Sequence, residues 1–201
     1  MAMTADVCQA LERALALQGG PSSDFDLNPD VQLHEGRKLR PASVLIALEE
    51  SPSGFDVLLT KRTSHLKHHP GQISFPGGKL EPDDATPEIC ALREAEEEIG
   101  LPRDAVRVMG RLPDHETVTG FQVTPVVGRI TTAFAPVPEL GEVAEIFRVP
   151  FSFLVDPSNF RVEARRWRGQ RRQYFVVPWG PYYIWGATAR MLHSLAERYH
   201  P

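Results

Sequence analysis

Apolar residues recur at helical spacing in residues 4–17, where Val7, Leu11 and Leu15 fall near i,i+4 positions, and the pattern stops at Gly19-Gly20. The following stretch, PSSDFDLNPDVQLHEGRKLR, is polar, proline-bearing and aperiodic, which predicts a linker or a wrapping arm. From about Arg40 the pattern changes. PASVLIAL and FDVLLTKR read as two strands joined across EESPSG, a hairpin signature. AVRVMGRLP, FQVTPVVGRI and EIFRVP are further strand candidates, and RVEARRWRGQRRQYFVV predicts a hairpin turning at Gly169. After Gly186, ATARMLHSLAERYH returns to a helical pattern. There is no internal repeat or low-complexity tract. Strands dominate the centre and helices are few, so the expectation is a mixed sheet with helices packed on it.

One helix carries the chemistry. Thr86 to Ile99 has a plausible N-cap in Thr86, Pro87 at the first helical position and Gly100 past the end. At roughly 100° per residue, Ile89, Leu92, Ala95 and Ile99 share one side, which should face the core. Glu94, Glu97 and Glu98 fall within an arc of about 100° on another side, Arg93 lies between the two, and Glu96 projects elsewhere. Such a face can simply be solvated. It lies in the C-terminal half, however, where the macrodipole disfavours negative charge, and its carboxylates repel one another. A hard divalent cation, which takes oxygen ligands and bridges carboxylates to phosphates, accounts for that placement. Ahead of this helix, TSHLKHHPGQIS reads as a loop leading into a tight Phe75-Pro76-Gly77-Gly78 turn, where backbone groups can approach an ion closely.

Composition narrows the field. The chain has 201 residues, 42% apolar and 24% charged, which suits one domain with an appendage. Its net charge of −4 provides no global basic field for nucleic acid, so an anionic ligand must be met by a local patch or a metal. Cys8 and Cys90 are far apart and outside metal-ligand spacing, consistent with free thiols in a reducing compartment. No signal-peptide pattern and no run of ~20 apolar residues is present, so the expected location is the cytoplasm, without a membrane span. Adjacent His68-His69 makes a poor transition-metal site.

Residues 78–101 resemble the Nudix box, G-x5-E-x7-R-E-U-x-E-E-x-G-U with U aliphatic. Arg93, Glu94, Ala95, Glu97, Glu98, Gly100 and Leu101 fill its second half. Asp84 stands at the first Glu position, with eight residues rather than seven before Arg93. LLTKRTSHLKHHPGQISFPGG, residues 58–78, is similar to the signature that coenzyme A pyrophosphatases carry ahead of that box, L-L-T-x-T-S-x3-R-x3-G-x3-F-P-G-G, with Arg62 at a Thr position, Thr63 at Ser and Lys67 at Arg. TGFQVTPVVG and YYIWGATARML also look like that subfamily.

The resemblance, over roughly residues 40–195, implies an α+β Nudix fold, a mixed β-sheet sandwiched between helices (an α/β/α sandwich), with residues 1–36 as N-terminal helix and arm and 37–201 as hydrolase domain. It implies Mg²⁺- or Mn²⁺-dependent hydrolysis of a nucleoside diphosphate linked to another group; for coenzyme A the products are 3′,5′-ADP and 4′-phosphopantetheine. In this reading Glu94, Glu97 and Glu98 with the Gly78 carbonyl hold the metal, and Arg93 orients the glutamates. Glu97, Glu142 or Glu145 supplies a base, while Arg62, Lys67, Gly77 and Gly78 face the substrate. The partner is a small molecule, coenzyme A or an acyl-CoA, with no specific nucleic acid; oligomeric state, a homodimer included, stays open. Rival readings are a hydrolase preferring ADP-ribose or NADH and a nucleotide-sensing module. Arg165, Arg166, Arg168, Arg171 and Arg172 around Trp167 suit a 3′-phosphate, RNA, or simply a charged hairpin edge.

Overall fold

The computed structural model describes residues 2–33, 36–65, 70–167 and 169–200. Helix α1 (Ala2–Ala16) and the two-residue strand β1 (Ser22–Ser23) precede the long strands β2 (Arg40–Ser51) and β3 (Gly54–Arg62). Short β4 (Ile73–Ser74) and β5 (Gly77–Lys79) lead into α2 (Pro87–Ile99). Strands β6 (Val106–Arg111), β7 (His115–Glu116), β8 (Phe121–Ile130) and β9 (Val143–Pro150) follow, then the single turn α3 (Phe151–Leu154). Strands β10 (Arg161–Trp167), β11 (Gln170–Trp179) and β12 (Tyr182–Trp185) precede the closing helix α4 (Ala187–Arg198).

Strand β2 organises the larger, nine-stranded sheet. One edge pairs in parallel with β8 from Arg40 opposite Phe121 to Leu48 opposite Arg129. The other edge is shared between two antiparallel partners: β5 takes Ala42 to Val44, and β3 takes Leu48 to Ser51. Strand β3 therefore leaves β2 after the hairpin and pairs with β9 and β4 instead. Strands β10, β11 and β12 form a separate antiparallel sheet of three.

Because side chains alternate across a strand, the long apolar runs bury both faces of the sheet. Leu45, Ala47, Leu58 and Val126 pack with Ala91, Ala95 and Ile99 of α2. Ile46, Leu48, Val57, Leu59 and Val127 pack with Leu11 and Ala14 of α1 and Leu192 and Leu195 of α4. Helices cover both faces, which is the α/β/α sandwich expected from the sequence. Among the described residues no helix is long and apolar enough to cross a membrane.

The N-terminal segment wraps the sheet. Ser22 and Ser23 pair in parallel with His115 and Glu116. The fully buried His115 ring sits between Ser22 Oγ at 2.9 Å and Asp24 Oδ1 at 3.2 Å. Further on, the Asn28 amide bonds both backbone groups of Gln173 (2.9 and 2.8 Å). Two-residue strands such as β1 have no period to read, which is why the sequence pattern showed only an arm.

Two expectations need correction. Ile89 does not face the core: it is 39% exposed, and the buried face of α2 is Cys90, Ala91, Ala95, Glu98 and Ile99. That face is turned toward the acidic arc because small Ala91 and Ala95 let the helix lie close against the sheet, which carries Glu98 into the seam. The Pro-Gly-Gly segment is not a tight turn either. After Pro76 the chain straightens into β5, with Gly77 opposite Val44 and Gly78 opposite Ser43.

Candidate active site

The cleft forms where β2 and β3 part and β5 fills the gap beneath α2. Helix α2 is fixed at both ends. Thr86 Oγ1 accepts the Ile89 amide at 3.4 Å, and Gly100 in the left-handed region (φ 68°) donates its N–H to Glu96 O at 3.0 Å. Two glycines of β5 matter in different ways. At Gly77, φ is +157° and a Cβ would come within 2.4 Å of Ser43 O. At Gly78 a Cβ would lie 2.3 Å from Glu94 Oε1, so the helix carboxylate rests directly on the bare glycine.

The carboxylates are not equivalent. Glu98 is 6% exposed, and its bond is from the Gly77 N–H to Oε2 at 3.3 Å. Burial, with the nearby charge of Glu94, pushes its carboxyl up to about 8 against the pull of Arg62 and the Gly77 amide. Burial also raises Glu94, with Arg93 opposing. Glu97 is more exposed and pairs with Arg93 at 3.1 Å. Glu96 points away and meets Arg103 at the surface (2.7 Å).

Arg93 ties these groups together. Its guanidinium holds Asp84 through Nε (3.1 Å) and Nη2 (2.8 Å), donates to Lys79 O (3.1 Å), and lies 3.1 Å from Glu94. The paired fork holds Asp84 down at about 2, through the Arg93 hydrogen bonds first. Asp84 is thus the buried anchor of Arg93, which the eight-residue spacing obscures in the sequence. Asp84→Asn is expected to lower stability at pH 7, since a charge-assisted bond contributes about 1.5–3 kcal/mol. Because the folded value lies below the ordinary 3.8, the stabilisation is complete above that value and is lost as pH falls through about 2. Denaturant melts of the two proteins should therefore converge as the pH approaches 2; a constant gap would remove the ion pair as the cause.

The loop before β9 closes the cleft. Val137 N bonds Ile99 O (3.0 Å) and Glu139 N bonds Glu98 O (2.9 Å), docking the loop on the end of α2. A register shift between Lys61 and Arg62 places Val143 opposite Arg62, and Thr63 N bonds Glu142 O (2.8 Å). The result brings Glu142 within 3.8 Å of Arg62, and the charges of both act on Glu98. Glu145 is engaged elsewhere: it accepts the Tyr182 hydroxyl at 2.5 Å. Tyr182 itself stacks on Phe147 (3.7 Å). Lys67, with His68 and His69, lies outside the described residues.

As they stand, no three His, Cys, Asp or Glu side chains among the described residues converge closely enough to hold an ion. Arg93 draws Glu94 and Glu97 toward itself instead. The donor set nonetheless suits a hard cation. It is all oxygen, it includes a buried carboxylate with no cationic partner in bonding contact among the described residues, and Gly78 leaves no side chain between Glu94 and the β5 backbone.

Fold and carboxylate arrangement suit a hydrolase, and similarity to known proteins identifies the family. The NUDIX domain model matches residues 38–167, more than half of the chain. An uncharacterized Nudix hydrolase NudL of Enterobacter sp. (strain 638) is 41% identical over 159 residues, 78% of this chain and 81% of that protein. Its counterpart in Salmonella paratyphi B is 38% identical over 174 residues, 87% and 90% of the two chains. The Nudix domain of Shewanella oneidensis NrtR, crystallised with ADP-ribose, superposes with a TM-score of 0.50 at 12% identity, covering 85% of this chain and 92% of that one; the likeness is one of fold. The chain belongs to the Nudix family and is a hydrolase of a nucleoside diphosphate derivative, from a family that generally uses divalent metals.

Proposed function

We propose that the protein hydrolyses the diphosphate of coenzyme A and its derivatives, producing 3′,5′-ADP and 4′-phosphopantetheine. The observation that carries this reading is the Leu58–Gly78 signature, whose last two glycines form the strand against which Glu94 and Glu98 rest. Residues 37–201 are the hydrolase domain and 1–36 its brace. Glu94, Glu97, Glu98 and the Gly78 carbonyl hold Mg²⁺ or Mn²⁺, which when bound neutralises phosphate charge and lowers the pKa of water. Arg93, anchored on Asp84, positions Glu94 and Glu97 rather than touching substrate. Arg62 and Lys67 meet phosphate oxygens.

Glu142 is the base in this reading. It is half exposed beside Arg62, whereas the Glu145 carboxylate is occupied by Tyr182. Glu142→Gln should lower kcat by about 10²-fold or more and flatten the acid limb of the pH–rate profile. Glu145→Gln should leave that limb in place; the reverse pattern would reassign the base.

The deciding experiment is a panel of coenzyme A, acyl-CoAs, ADP-ribose and NADH with Mg²⁺ and Mn²⁺, products resolved chromatographically. Coenzyme A should exceed its 3′-dephospho form about ten-fold or more in kcat/KM, the effect of one charge-assisted contact. Equal values would shift the assignment to ADP-ribose or a dinucleotide.

A further inference from the structure

Among the described residues the most exposed large apolar side chain is Leu140, at 79%. A lone exposed leucine is ordinary on a protein surface, so what matters is where it stands and how firmly. Leu140 is at a corner of the loop joining β8 to β9. Glu142 N bonds Glu139 O at 3.0 Å and Val143 N bonds the same carbonyl at 2.8 Å, which closes a tight turn around Leu140 and Gly141. Both ends of that turn are anchored. Glu139 N bonds Glu98 O (2.9 Å) on α2. Thr63, just past β3, donates its N–H to Glu142 O (2.8 Å) and its hydroxyl to Gly141 O (3.2 Å). Pro136 and Pro138 stiffen the approach, and Val143 is buried directly after the turn.

The turn therefore bridges the two walls of the cleft, with Leu140 at its tip. Holding a leucine there in water brings the fold no burial. Its neighbours in the chain belong to the site: Glu139 is bonded to the backbone of Glu98, and Glu142 lies 3.8 Å from Arg62. Two residues of chain span at most about 7 Å, so Leu140 stands beside the groups assigned to the diphosphate. Val137, 63% exposed on the same loop, is placed differently. It sits over Gly100 at the end of α2, where a glycine Cβ would be 3.4 Å from it.

Beside a diphosphate, an apolar tip can recognise only an apolar group carried close to the phosphates. In coenzyme A the carbon one methylene beyond the phosphate oxygen is quaternary and bears two methyl groups. In ADP-ribose and NADH that place belongs to a hydroxylated sugar. We propose that Leu140 is a specificity-determining residue that packs on this dimethyl carbon and so selects the phosphopantetheine side of the substrate. The inference rests on the coenzyme A reading. It adds a contact on the side of the diphosphate away from adenosine, separate from any contact to the 3′-phosphate.

The test compares 3′-dephospho-coenzyme A with ADP-ribose, which share the ADP half and differ only beyond the second phosphate. Steady-state kinetics with Mg²⁺ are measured for the full chain and for Leu140→Asn, Leu140→Met and Val137→Asn. Leu140→Asn should lower kcat/KM about ten-fold for coenzyme A and its dephospho form alike, mainly through KM, and change ADP-ribose hydrolysis by less than about two-fold. Leu140→Met should keep most of the activity on both coenzyme A forms, and Val137→Asn should leave the selectivity unchanged. Melting temperatures should hold, because both side chains are exposed. An equal fall on both kinds of substrate, or a fall in kcat with a shifted acid limb, would mean that Glu142 has moved and would overturn the proposal. Unchanged selectivity overturns it too, and a change of mass on size-exclusion chromatography would then mark Leu140 as a contact between copies. If the unmodified chain cleaves ADP-ribose as well as dephospho-coenzyme A, the coenzyme A reading itself fails. A preference for dephospho-coenzyme A that survives Leu140→Asn removes this contact alone.

Discussion

Glu98→Gln is expected to lower kcat about 100-fold or more while making the metal-free protein more stable at alkaline pH. The two effects share one cause. Among the described residues Glu98 is a buried carboxylate with one weak backbone donor and no ion-paired cation, so its charged form is costly until a cation arrives. Burial raises it from 4.5 to about 8. Between those values the unfolded chain has released a proton that the folded chain retains, so the stability of the metal-free protein falls as pH rises from 4.5 and levels off above 8. Glutamine keeps the shape and removes that decline. It also removes an anionic ligand, and losing several kcal/mol of charge stabilisation corresponds to a hundred-fold or more in rate. Melting temperature against pH, with and without Mg²⁺, reads one effect, and turnover at saturating Mg²⁺ reads the other. Mg²⁺ should raise the melting temperature of the unmodified protein and much less that of the variant. Undiminished turnover would take Glu98 out of the metal site. Glu96→Gln is the control and should be mild, because among the described residues the Glu96 side chain meets Arg103 at the surface.

The neighbouring glycines should separate folding from catalysis. Gly77→Ala places a Cβ 2.4 Å from Ser43 O and 2.6 Å from Val44 Cα at a backbone conformation alanine rarely adopts. Both clashes are with the backbone of the central strand, so the chain must shift or β5 must detach. A cost of more than about 3 kcal/mol is expected, visible as a large drop in the denaturation midpoint. Gly78→Ala differs. Its backbone is ordinary, and the obstacle is the Glu94 carboxylate at 2.3 Å, the end of a flexible side chain. The fold should survive while Glu94 swings off β5, with turnover reduced about ten-fold or more and a higher Mg²⁺ requirement. If Gly78→Ala unfolds the protein, or retains full activity, Glu94 is not seated against that strand as the cleft requires.

Much of the architecture was legible because long elements carry their period in the chain. Strands β2, β3 and β8, with apolar runs buried on both faces, and helices α1, α2 and α4, with their caps and stops, follow from side-chain alternation and helical spacing. The Nudix box and the signature before it were legible for a different reason. A carboxylate cluster built on one helix and one adjoining strand is local, so its residues stay near one another in sequence. The short strands β1, β4, β5 and β7 were not legible, since two or three residues hold no period.

Several features of the site were decided only by tertiary packing. That Glu98, rather than Ile89, turns inward depends on Ala91 and Ala95 meeting the sheet. Asp84 as the anchor of Arg93 depends on the loop folding back across an eight-residue spacing. The distinction between Glu142 and Glu145 depends on Tyr182, thirty-seven residues away in sequence, taking one of them. Across the β10–β11 ribbon Arg165 stands opposite Arg172 and Arg166 opposite Arg171, while Arg168 lies outside the described residues. That pairing is a matter of register, which a pattern of apolar positions cannot specify where most residues are polar. The sequence by itself determined which residues are chemically equipped to hold a cation and meet a phosphate. Tertiary structure determined which of them are buried, paired or left facing the cleft, because burial and charge pairing depend on neighbours that are distant along the chain.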